Sequence, residues 1–406
     1  MPFSPPDLSQ MVRPNWIEIN LDSLSHNIQT VRDRIPPGTK ILLPVKADAY
    51  GHGSLACSYA AKLCGVDFLG VAHMAEGILL RQYGIDIPVL ILGPCIPEDF
   101  PYLVEFQLTP TLSDEKTATL FDDYLRKNNV TAKAHLKIDT GMNRYGIAAH
   151  HPETIQKLLR LSHLKFEGIF THFATADIPN HPNTEKQAQA FQKLINALET
   201  AGLKPPIVHA ANSAVTFTHP EIHFNLVRPG IALYGYNPMG NFPSAFPLKP
   251  LMKMKATVRM IHDVEAGESV SYGSFWTATK KTRVATVAIG YGDGYLRGNY
   301  NEGVMLVHGK LCPILGRVCM DATMLDVSEI PELAAGDTVD VINGEAHEQI
   351  SMEAIAETHH TIPYEITCRV ARRLYRKYRW QGKNYRWDAL KKEFQIPEFK
   401  EYPCRK

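Results

Sequence analysis

A lysine follows a short apolar run near the start of the chain, and its position suits covalent chemistry. Residues 41–45 have the length and composition of a strand that is buried on both faces, and Lys46 stands where this strand should end. Burial disfavours the charged form of a lysine, and such a lysine suits Schiff-base chemistry. From this stretch alone, a structural lysine that extends past the strand end to solvent is an equally good interpretation.

Two further groups of polar residues follow apolar runs. Lys137 and Arg144 lie on either side of Asp139, and two cations so close together repel each other unless an anion lies between them. His172 ends another predicted strand, where its flat imidazole could stack on a ring-shaped ligand. The structural alternatives are an ion-pair network for the first group and a buried, hydrogen-bonded histidine for the second.

The last two predicted strands lead into a candidate anion site. Asn212 and Ser213 begin a short helix, and residues 228–231 form a tight turn that contains Gly230. A serine hydroxyl and free N–H groups at such turns bind phosphate, and TIM barrels often bind phosphate near their seventh and eighth strands. Taken with Lys46, this turn predicts pyridoxal phosphate, a phosphorylated aldehyde, as the cofactor.

The elements that must position these residues alternate between strand and helix over residues 41–233. The spacing of roughly 20 to 35 residues is that of βα units, and apolar runs predict a parallel sheet that is covered on both faces. About eight such units favour a TIM barrel over an open sheet. We therefore predict an α/β fold with a (β/α)8 barrel over residues 15–240, whose polar strand ends meet at its C-terminal mouth.

The pattern changes after residue 240. Alternating segments separated by glycine-containing turns predict a second, mainly β domain over residues 241–378. Its loops carry Tyr272, Met320 and Tyr364, which by spacing alone are structural residues. Residues 1–14 are rich in proline and lack the apolar core of a signal peptide, so we predict a flexible lead-in. Residues 379–406 are polar and basic, which predicts a loosely attached tail.

Composition narrows the class of protein. The chain has 406 residues, of which 45% are hydrophobic and 21% charged, and its net charge of +1 argues against a nucleic acid or an anionic membrane as partner. We expect no transmembrane helix, and the seven scattered cysteines favour a reducing, cytoplasmic compartment. GxGxxG after a strand, GxxxxGK[ST] and HExxH are all absent from the sequence, so we expect neither a nucleotide nor a metal site.

Five sequence blocks together resemble alanine racemase, a family of fold-type III pyridoxal-phosphate enzymes. The blocks are VKADAYGHG at 45–53, KIDTGM at 137–142, THF at 171–173, VSYG at 270–273 and CMD at 319–321. The resemblance extends from residue 16 to residue 375. It implies interconversion of L- and D-alanine, supply of D-alanine for peptidoglycan, and a homodimer with shared active sites.

The resemblance also implies roles for single residues. Lys46 would be the Schiff-base lysine and one catalytic base, and Tyr272, contributed by the other subunit, would be the second base. Arg144 would contact the cofactor phenolate and the substrate carboxylate, and Met320 would line the substrate site. Lys137 would be carbamylated, and the resulting anion would separate the two cations.

The remaining implied residues bind the cofactor. Arg228 would donate to the pyridine nitrogen, and His172 would pack beside the ring and pair with Arg228. Because arginine only donates, the pyridine nitrogen would stay unprotonated, which favours proton return over transamination. The residues implied at the phosphate are Tyr50, Ser213, Gly230, Ile231 and Tyr364, with Asn212 at the same helix start.

Departures from the family pattern keep some alternatives open. Asn143 stands where the family usually has a glycine before the matching arginine, and residues 364–373 lack a proline of the closing segment. The alternatives are a racemase of another small amino acid, a fold-type III decarboxylase, and a non-catalytic pyridoxal-phosphate carrier. Decarboxylases place an acidic residue where this chain has Arg228, and carriers resemble the barrel alone.

Overall fold

The computed structural model describes residues 14–239, 247–300 and 302–397. In chain order the strands are β1 (Asn15–Asn20), β2 (Lys40–Pro44), β3 (Phe68–Val71), β4 (Val89–Pro94), β5 (Thr109–Leu112), β6 (Ala132–Asp139), β7 (Ile147–Ala148), β8 (Leu164–Phe170), β9 (Ile207–His209), β10 (Leu226–Val227), β11 (Met252–Val264), β12 (Ser269–Val270), β13 (Trp276–Thr277), β14 (Thr282–Val287), β15 (Val304–Val307), β16 (Lys310–Pro313), β17 (Thr323–Asp326), β18 (Thr338–Ile342), β19 (Tyr375–Trp380) and β20 (Lys383–Arg386). The helical segments are α1 (Leu21–Arg32), α2 (Lys46–Tyr50), α3 (Ser54–Leu63), α4 (Met74–Gln82), α5 (Phe100–Glu105), α6 (Glu115–Lys127), α7 (Pro152–Leu159), α8 (Pro182–Thr200), α9 (Ser213–Thr218), α10 (Met352–Thr358), α11 (Pro363–Arg369) and α12 (Trp387–Glu393).

The described chain divides into two compact units. The barrel unit comprises the described residues of 21–249 together with 390–397. The β unit comprises residues 14–20 together with the described residues of 250–389.

Parallel strands form the centre of the barrel unit. In the described residues, the sheet has the order β10-β2-β3-β4-β5-β6-β8-β9, with the short β7 beside β6. Strands β2, β3 and β5 are buried along almost their whole length, as expected for strands with a packed interior on one face and helices on the other. The Arg228 amide donates to the Ala211 carbonyl at 2.9 Å, which joins the segments that follow β10 and β9. The predicted TIM barrel is confirmed.

The β unit is built around the long strand β11. Its burial alternates along the first seven residues, as in a strand with one face on the core. The sheet has the order β16-β15-β18-β11-β1-β19-β20, while β14 pairs with both β11 and β17. A short hairpin of β12 and β13 stands apart from this sheet. The predicted mainly β second domain is confirmed.

The first strand belongs to the β unit and not to the barrel, where the boundary at residue 15 had placed it. Strand β1 pairs antiparallel with β11 and parallel with β19. Ile17 and Ile19 are fully buried, while Trp16 and Glu18 on the other face are not. This alternation fits a half-exposed sheet, whereas a barrel strand is buried on both faces. The physical pattern was therefore present in the sequence.

Much of the segment expected to be a loose tail is folded. Residues 375–386 form the β19–β20 hairpin at the edge of the β unit, with β19 paired to β1. In the barrel unit, Leu390 and Phe394 are buried, and the Phe394 ring lies 5.9 Å from that of Tyr59. The buried side chains recur at positions 390 and 394, a helical spacing that the many charged residues conceal.

Some predicted regions lie outside the described residues. They are positions 1–13 of the lead-in and 398–406 of the tail. Within the described residues, no helix has the length and apolar character needed to cross a membrane.

Candidate active site

The backbone makes a left-handed turn immediately after Lys46. The four residues at positions 47 to 50, none of them glycine, have φ between 51° and 54°. A left-handed backbone costs about 1–2 kcal/mol for each L-residue, so surrounding contacts must hold it in place. The Val45 amide donates to the Gly70 carbonyl at 2.7 Å, which fixes the start of the turn to the end of β3.

Two carboxylates hold this turn. The Glu76 carboxylate, in the first turn of α4, accepts from the Ala47 and Ala72 amides, each at 2.7 Å. The Asp48 carboxylate accepts from the Ser54 amide at 2.8 Å. Because charge-assisted bonds to backbone N–H groups are strong, these contacts offset the strain and set the position from which Lys46 extends.

A buried arginine lies directly after β10. Arg228 is 5% exposed, and its guanidinium donates to the carbonyls of Thr171 at 2.9 Å and Ala210 at 3.0 Å. It also faces the Nδ1 atoms of His209 at 2.9 Å and His172 at 3.3 Å. Burial lowers the pKa of Arg228 to about 9, and no described carboxylate offsets that effect. The hydrogen bonds to the two carbonyls and the two histidines confine the guanidinium to one orientation.

His172 lies within the influence of four cationic side chains. Burial lowers the pKa of its imidazole well below its usual range, and the charges of Arg228, Lys137, Arg144 and Lys46 lower it further. The structure therefore brings near one another four basic side chains that the sequence placed at three different strand ends. A neutral His172 can accept from Arg228 at one ring nitrogen.

Lys137 is buried without a described carboxylate in contact. It is 5% exposed, and its Nζ lies 4.5 Å from the centre of the Phe170 ring, which also lies 5.3 Å from the Arg228 Cζ. Burial lowers the pKa of Lys137 well below its usual range, and the Arg228 and Arg144 charges add to this effect. Lys137 therefore has a pronounced tendency to be a neutral amine. Arg144 is exposed and lies over the Tyr145 ring at 5.2 Å.

Asn143, which departs from the glycine of the family pattern, lies in a loop whose backbone is left-handed at this position. Its φ is +56°, a left-handed conformation in which glycine costs least and asparagine is the best-tolerated alternative. The Asp139 carboxylate accepts from the amides of Gly141, Met142 and Asn143 at 2.8 to 3.2 Å. Asparagine therefore preserves the loop that leads to Arg144.

Contacts in the barrel unit bring several of the predicted phosphate residues together, and we call Tyr50, Ser213, Gly230 and Ile231 the cradle. A Cβ atom on Gly230 would lie 3.0 Å from the Tyr50 hydroxyl, so glycine keeps this space open. Ser213 is buried, and its hydroxyl accepts from the Ala232 amide at 3.3 Å. Ile231, next in the chain to Gly230, is fully buried. Hydroxyl groups and backbone amides are donors that an anionic phosphate requires, so the cradle fits the phosphate of pyridoxal phosphate.

Asn212 caps helix α9. Its side-chain oxygen accepts from the Val215 amide at 3.1 Å, and its carbonyl accepts from the Thr216 hydroxyl at 2.6 Å. These bonds fix the start of the helix at Ser213. The structure thus gives Asn212 a capping role that positions a predicted phosphate ligand.

In the β unit, Tyr272 lies on a braced loop with its side chain exposed. The Tyr272 side chain is 69% exposed. Ser271, with φ of 67°, donates through its hydroxyl to the Arg317 carbonyl at 2.6 Å. The Arg317 guanidinium lies 3.6 Å from the centre of the Phe275 ring. The loop is held by its neighbours while the phenol faces away from the unit's core.

The other two predicted residues of the β unit differ in exposure. Met320 is 53% exposed, and its carbonyl accepts from the Gly292 amide at 2.9 Å. Tyr364 is half-buried in α11, where its carbonyl accepts from the Thr367 hydroxyl at 3.1 Å.

Sequence reasoning missed several residues that organise the barrel site. They are Glu76, His135, Glu167 and His209. His135 and His209 occur within predicted strands, where a fully buried histidine is unusual enough to have been a signal. Glu76 carried no such signal, because an acidic residue in the first turn of a helix is common. Among the described residues, no group of three or more His, Cys, Asp or Glu could bind a metal ion.

Comparison with known proteins gives consistent matches along the chain. Residues 19–238 match the family model "Alanine racemase, N-terminal domain", and residues 251–378 match "Alanine racemase, C-terminal domain". An alanine racemase of Halothermothrix orenii is 37% identical over 371 residues, covering 91% of this chain and 98% of the relative. One from Geobacter sp. strain M21 is 40% identical over 372 residues, covering 90% and 98%.

Solved structures agree with these relatives. The alanine racemase of Clostridium difficile 630 superimposes with a TM-score of 0.86 at 36% identity, covering 93% of this chain and 98% of its own. The alanine racemase of Bacillus anthracis with bound L-Ala-P has a TM-score of 0.85 at 34% identity, covering 93% and 99%.

Proposed function

Because the chain belongs to the alanine racemase family, we propose that it interconverts L-alanine and D-alanine with pyridoxal 5′-phosphate as its cofactor. The observation that best supports this proposal is Arg228, which is buried and fixed by its four contacts. A group that can only donate would leave the pyridine nitrogen unprotonated. This favours racemisation over the decarboxylase alternative, which calls for an acidic residue at this point.

The barrel residues would hold the cofactor and one base. Tyr50, Ser213, Gly230 and Ile231 would hold the phosphate, and Lys46 would attach to the aldehyde carbon. When bound, pyridoxal phosphate withdraws electrons from the substrate and makes its Cα proton acidic. The Lys46 Nζ would take or return that proton on one face of the substrate.

Inversion requires a second base on the opposite face of the substrate. We assign it to the Tyr272 hydroxyl, which takes the proton when Lys46 returns one, and the reverse. Within one chain this phenol is 69% exposed on a braced loop. An exposed phenol on a braced loop is suited to complete the site of a second copy of the chain. The proposal therefore includes a homodimer with shared sites, in which Met320 and Tyr364 line the substrate and phosphate regions.

Lys137 would serve as an anion once it has reacted with carbon dioxide. Its neutral Nζ forms an N–C bond to the carbon and loses a proton, which gives a carbamate with one negative charge. The lowered pKa of Lys137 supports this step because only the neutral amine reacts. The carbamate would hold Arg144 for contact with the cofactor phenolate and the substrate carboxylate, and it would relieve repulsion from Arg228.

The wider role follows from the product. We propose that the enzyme supplies D-alanine for peptidoglycan, in the cytoplasm favoured by its seven scattered cysteines.

The test uses the full chain loaded with pyridoxal phosphate. L-alanine, L-serine and L-lysine are incubated separately with it in deuterated water, while Cα exchange is followed by NMR and chirality by chiral chromatography. We expect exchange with inversion, fastest for alanine. Faster inversion of serine or lysine would favour the other racemase, and release of carbon dioxide with loss of the carboxylate would favour the decarboxylase. Bound cofactor without exchange would favour a carrier.

A further inference from the structure

A buried chain of polar side chains extends from Arg228 through the barrel unit. The Arg228 guanidinium faces the His209 Nδ1 at 2.9 Å, and the His209 Nε2 faces the His135 Nδ1 at 2.8 Å. The His135 Nε2 in turn lies 3.8 Å from the Glu167 carboxylate, whose other oxygen lies 2.7 Å from the Lys133 Nζ. His135 and His209 are both fully buried.

The hydrogen-bond donors and acceptors along this row of polar side chains can be assigned in only one order. Arg228 can only donate, so the His209 Nδ1 must accept and its Nε2 must carry the proton. The His135 Nδ1 then accepts, and its Nε2 carries a proton directed at Glu167. Within the described residues, the His135 Nε2 and the facing Glu167 oxygen have no other hydrogen-bond partner. They face each other at 3.8 Å, which is an electrostatic contact and longer than a hydrogen bond.

Gly168 and Phe170 pack closely against the two imidazole rings. A Cβ atom on Gly168 would lie 2.4 Å from the His135 ring, so glycine is required beside it. The Phe170 ring stacks on that of His209, with centroids 4.6 Å apart and planes inclined by 12°. Both ring planes are thus fixed by packing as well as by hydrogen bonds. Lys137 and His172 are the other titratable groups whose charge or contact reaches this region.

This row of polar side chains leads away from the candidate active site, toward the opposite end of the barrel strands. Arg228 follows the carboxyl end of β10, whereas Lys133 lies near the start of β6 and Glu167 at the middle of β8. Lys133 is exposed, while Glu167 is largely covered. Burial on its own would raise the pKa of Glu167, but its contacts with His135 and Lys133 outweigh burial and hold the pKa below its usual range. Glu167 is therefore an anion at neutral pH.

We propose that Glu167 is a remote positioning residue for the arginine that faces the cofactor, acting through His135 and His209. This proposal rests on the proposed function only in taking the cofactor's pyridine nitrogen as the group that Arg228 contacts. The Glu167 anion favours the Nε2–H form of His135, which favours the same form of His209 and leaves its Nδ1 free to accept from Arg228. Without that anion the two rings can reverse their tautomers, and His209 then presents a donor to a donor.

The first experiment reads the tautomers directly and needs no cofactor. The full chain labelled with [15N]histidine is studied by long-range 1H–15N correlation NMR. We expect neutral Nε2–H forms for both His135 and His209. A Nδ1–H form or a doubly protonated ring at either position in the unsubstituted chain overturns the proposal.

The second experiment replaces the anion and reads the pyridine nitrogen. Glu167→Gln keeps the side chain's size and one acceptor but removes its charge, and Glu153→Gln on the exposed start of α7 is the matched control. With [15N]pyridoxal phosphate bound, we expect Glu167→Gln to move the pyridine resonance toward that of a nitrogen with no hydrogen bond. We also expect kcat to fall about five- to tenfold with an altered pH profile, while the control changes neither.

The alternatives to this result are distinct. An unchanged pyridine resonance and pH profile, with only a lower melting temperature, would show a purely structural role and overturn the proposal. If Glu167→Gln does not fold, Glu167→Asp, which keeps the charge but retracts it, should give a smaller displacement in the same direction, and no displacement would again overturn it. A holoenzyme that fails to invert alanine refutes the proposed function, whereas the histidine tautomers still decide the role of Glu167.

Discussion

The candidate residues of the barrel unit and of the β unit differ in how they are held. In the barrel, Arg228 and Lys137 are each 5% exposed, with Arg228 held by hydrogen bonds and Lys137 placed over the Phe170 ring. In the β unit, Tyr272 and Met320 are 69% and 53% exposed, although their backbones are braced. Buried polar groups must have their partners built in, because an unmade contact there is costly. The barrel candidates are thus enclosed within their own unit, whereas the Tyr272 and Met320 side chains remain exposed within theirs.

The largest expected effects separate the two units by their readouts. Lys46→Ala should remove the covalent link to the cofactor, so that borohydride no longer fixes it to the chain, and racemisation should fall at least about 10³-fold.

Tyr272→Phe removes only the phenolic oxygen, so racemisation should fall about 10²- to 10⁴-fold while cofactor affinity and melting temperature stay unchanged.

The contrast between the two units would be wrong if the β-unit substitution, and not the barrel substitution, removed the cofactor. Loss of cofactor binding in Tyr272→Phe would mean that the barrel site is incomplete without that phenol. Tyr300→Phe, which removes another partly exposed hydroxyl of the β unit, is the matched control and should keep its activity.

The next effect tests whether the barrel's strained turn depends on Glu76. Glu76→Gln leaves a single acceptor oxygen and turns an amide donor toward one of the two N–H groups at Ala47 and Ala72. We expect the free energy of unfolding to fall by about 1–3 kcal/mol, together with weaker cofactor binding. Chemical denaturation and cofactor titration measure the two effects. Glu153→Gln serves as control, and equal stability of the two variants would show that the turn is held by other contacts.

A smaller effect concerns pH and the buried Lys137. Its pKa in the folded state lies well below the usual value, so between that folded value and about 10.4 the unfolded chain binds more protons. Stability contributed by this group therefore rises with pH across that window and is lowest below it. Carbamylation replaces the titrating amine by an anion. In carbon-dioxide-free buffer the melting temperature should rise from pH 7 to pH 9, and bicarbonate should raise it further and flatten the slope.

Lys137→Met removes both the amine and the carbamate and is the control for that experiment. It should show neither the slope nor the response to bicarbonate, and 13C NMR with labelled bicarbonate should show a carbamate carbon only in the unsubstituted chain. A melting temperature insensitive to bicarbonate in both proteins would contradict carbamylation.

Sequence reasoning correctly predicted the repeated strands and helices of the barrel. It also singled out the polar residues that directly follow those strands. The barrel followed from its apolar runs, because a strand that is buried on both faces needs no alternation. Lys46, His172 and Arg228 were found because each directly follows such a run. The left-handed turn at residues 47–50 could not be found, because its alanine, aspartate and tyrosine have no preference for that conformation and tertiary contacts impose it.

The assignment of β1 and of the C-terminal segment failed for a related reason. The alternation of residues 15–20 showed a half-exposed strand, but which sheet receives it depends on pairing with β11, more than 230 residues away. Residues 390–397 carry only two buried side chains among charged neighbours, which is too weak a pattern to identify a packed segment. Pairings over long sequence separations are set by the whole fold, and local patterns do not encode them.

The smallest expected effect tests the one position in the barrel loop that departs from the family pattern. Asn143 has φ of +56° and donates its amide to Asp139, so the loop requires a left-handed residue but no particular side chain. Asn143→Gly should therefore change stability by no more than about 0.5 kcal/mol and leave kcat unaltered. Asn143→Val, which is β-branched, should cost about 1–2 kcal/mol because its Cβ crowds the following carbonyl in this conformation. Equal effects of the two substitutions, measured by urea denaturation, would mean that the side chain and not the backbone sets the loop. In that case the exposed Arg144 would owe its position to the asparagine amide, and the departure from glycine would be a functional change.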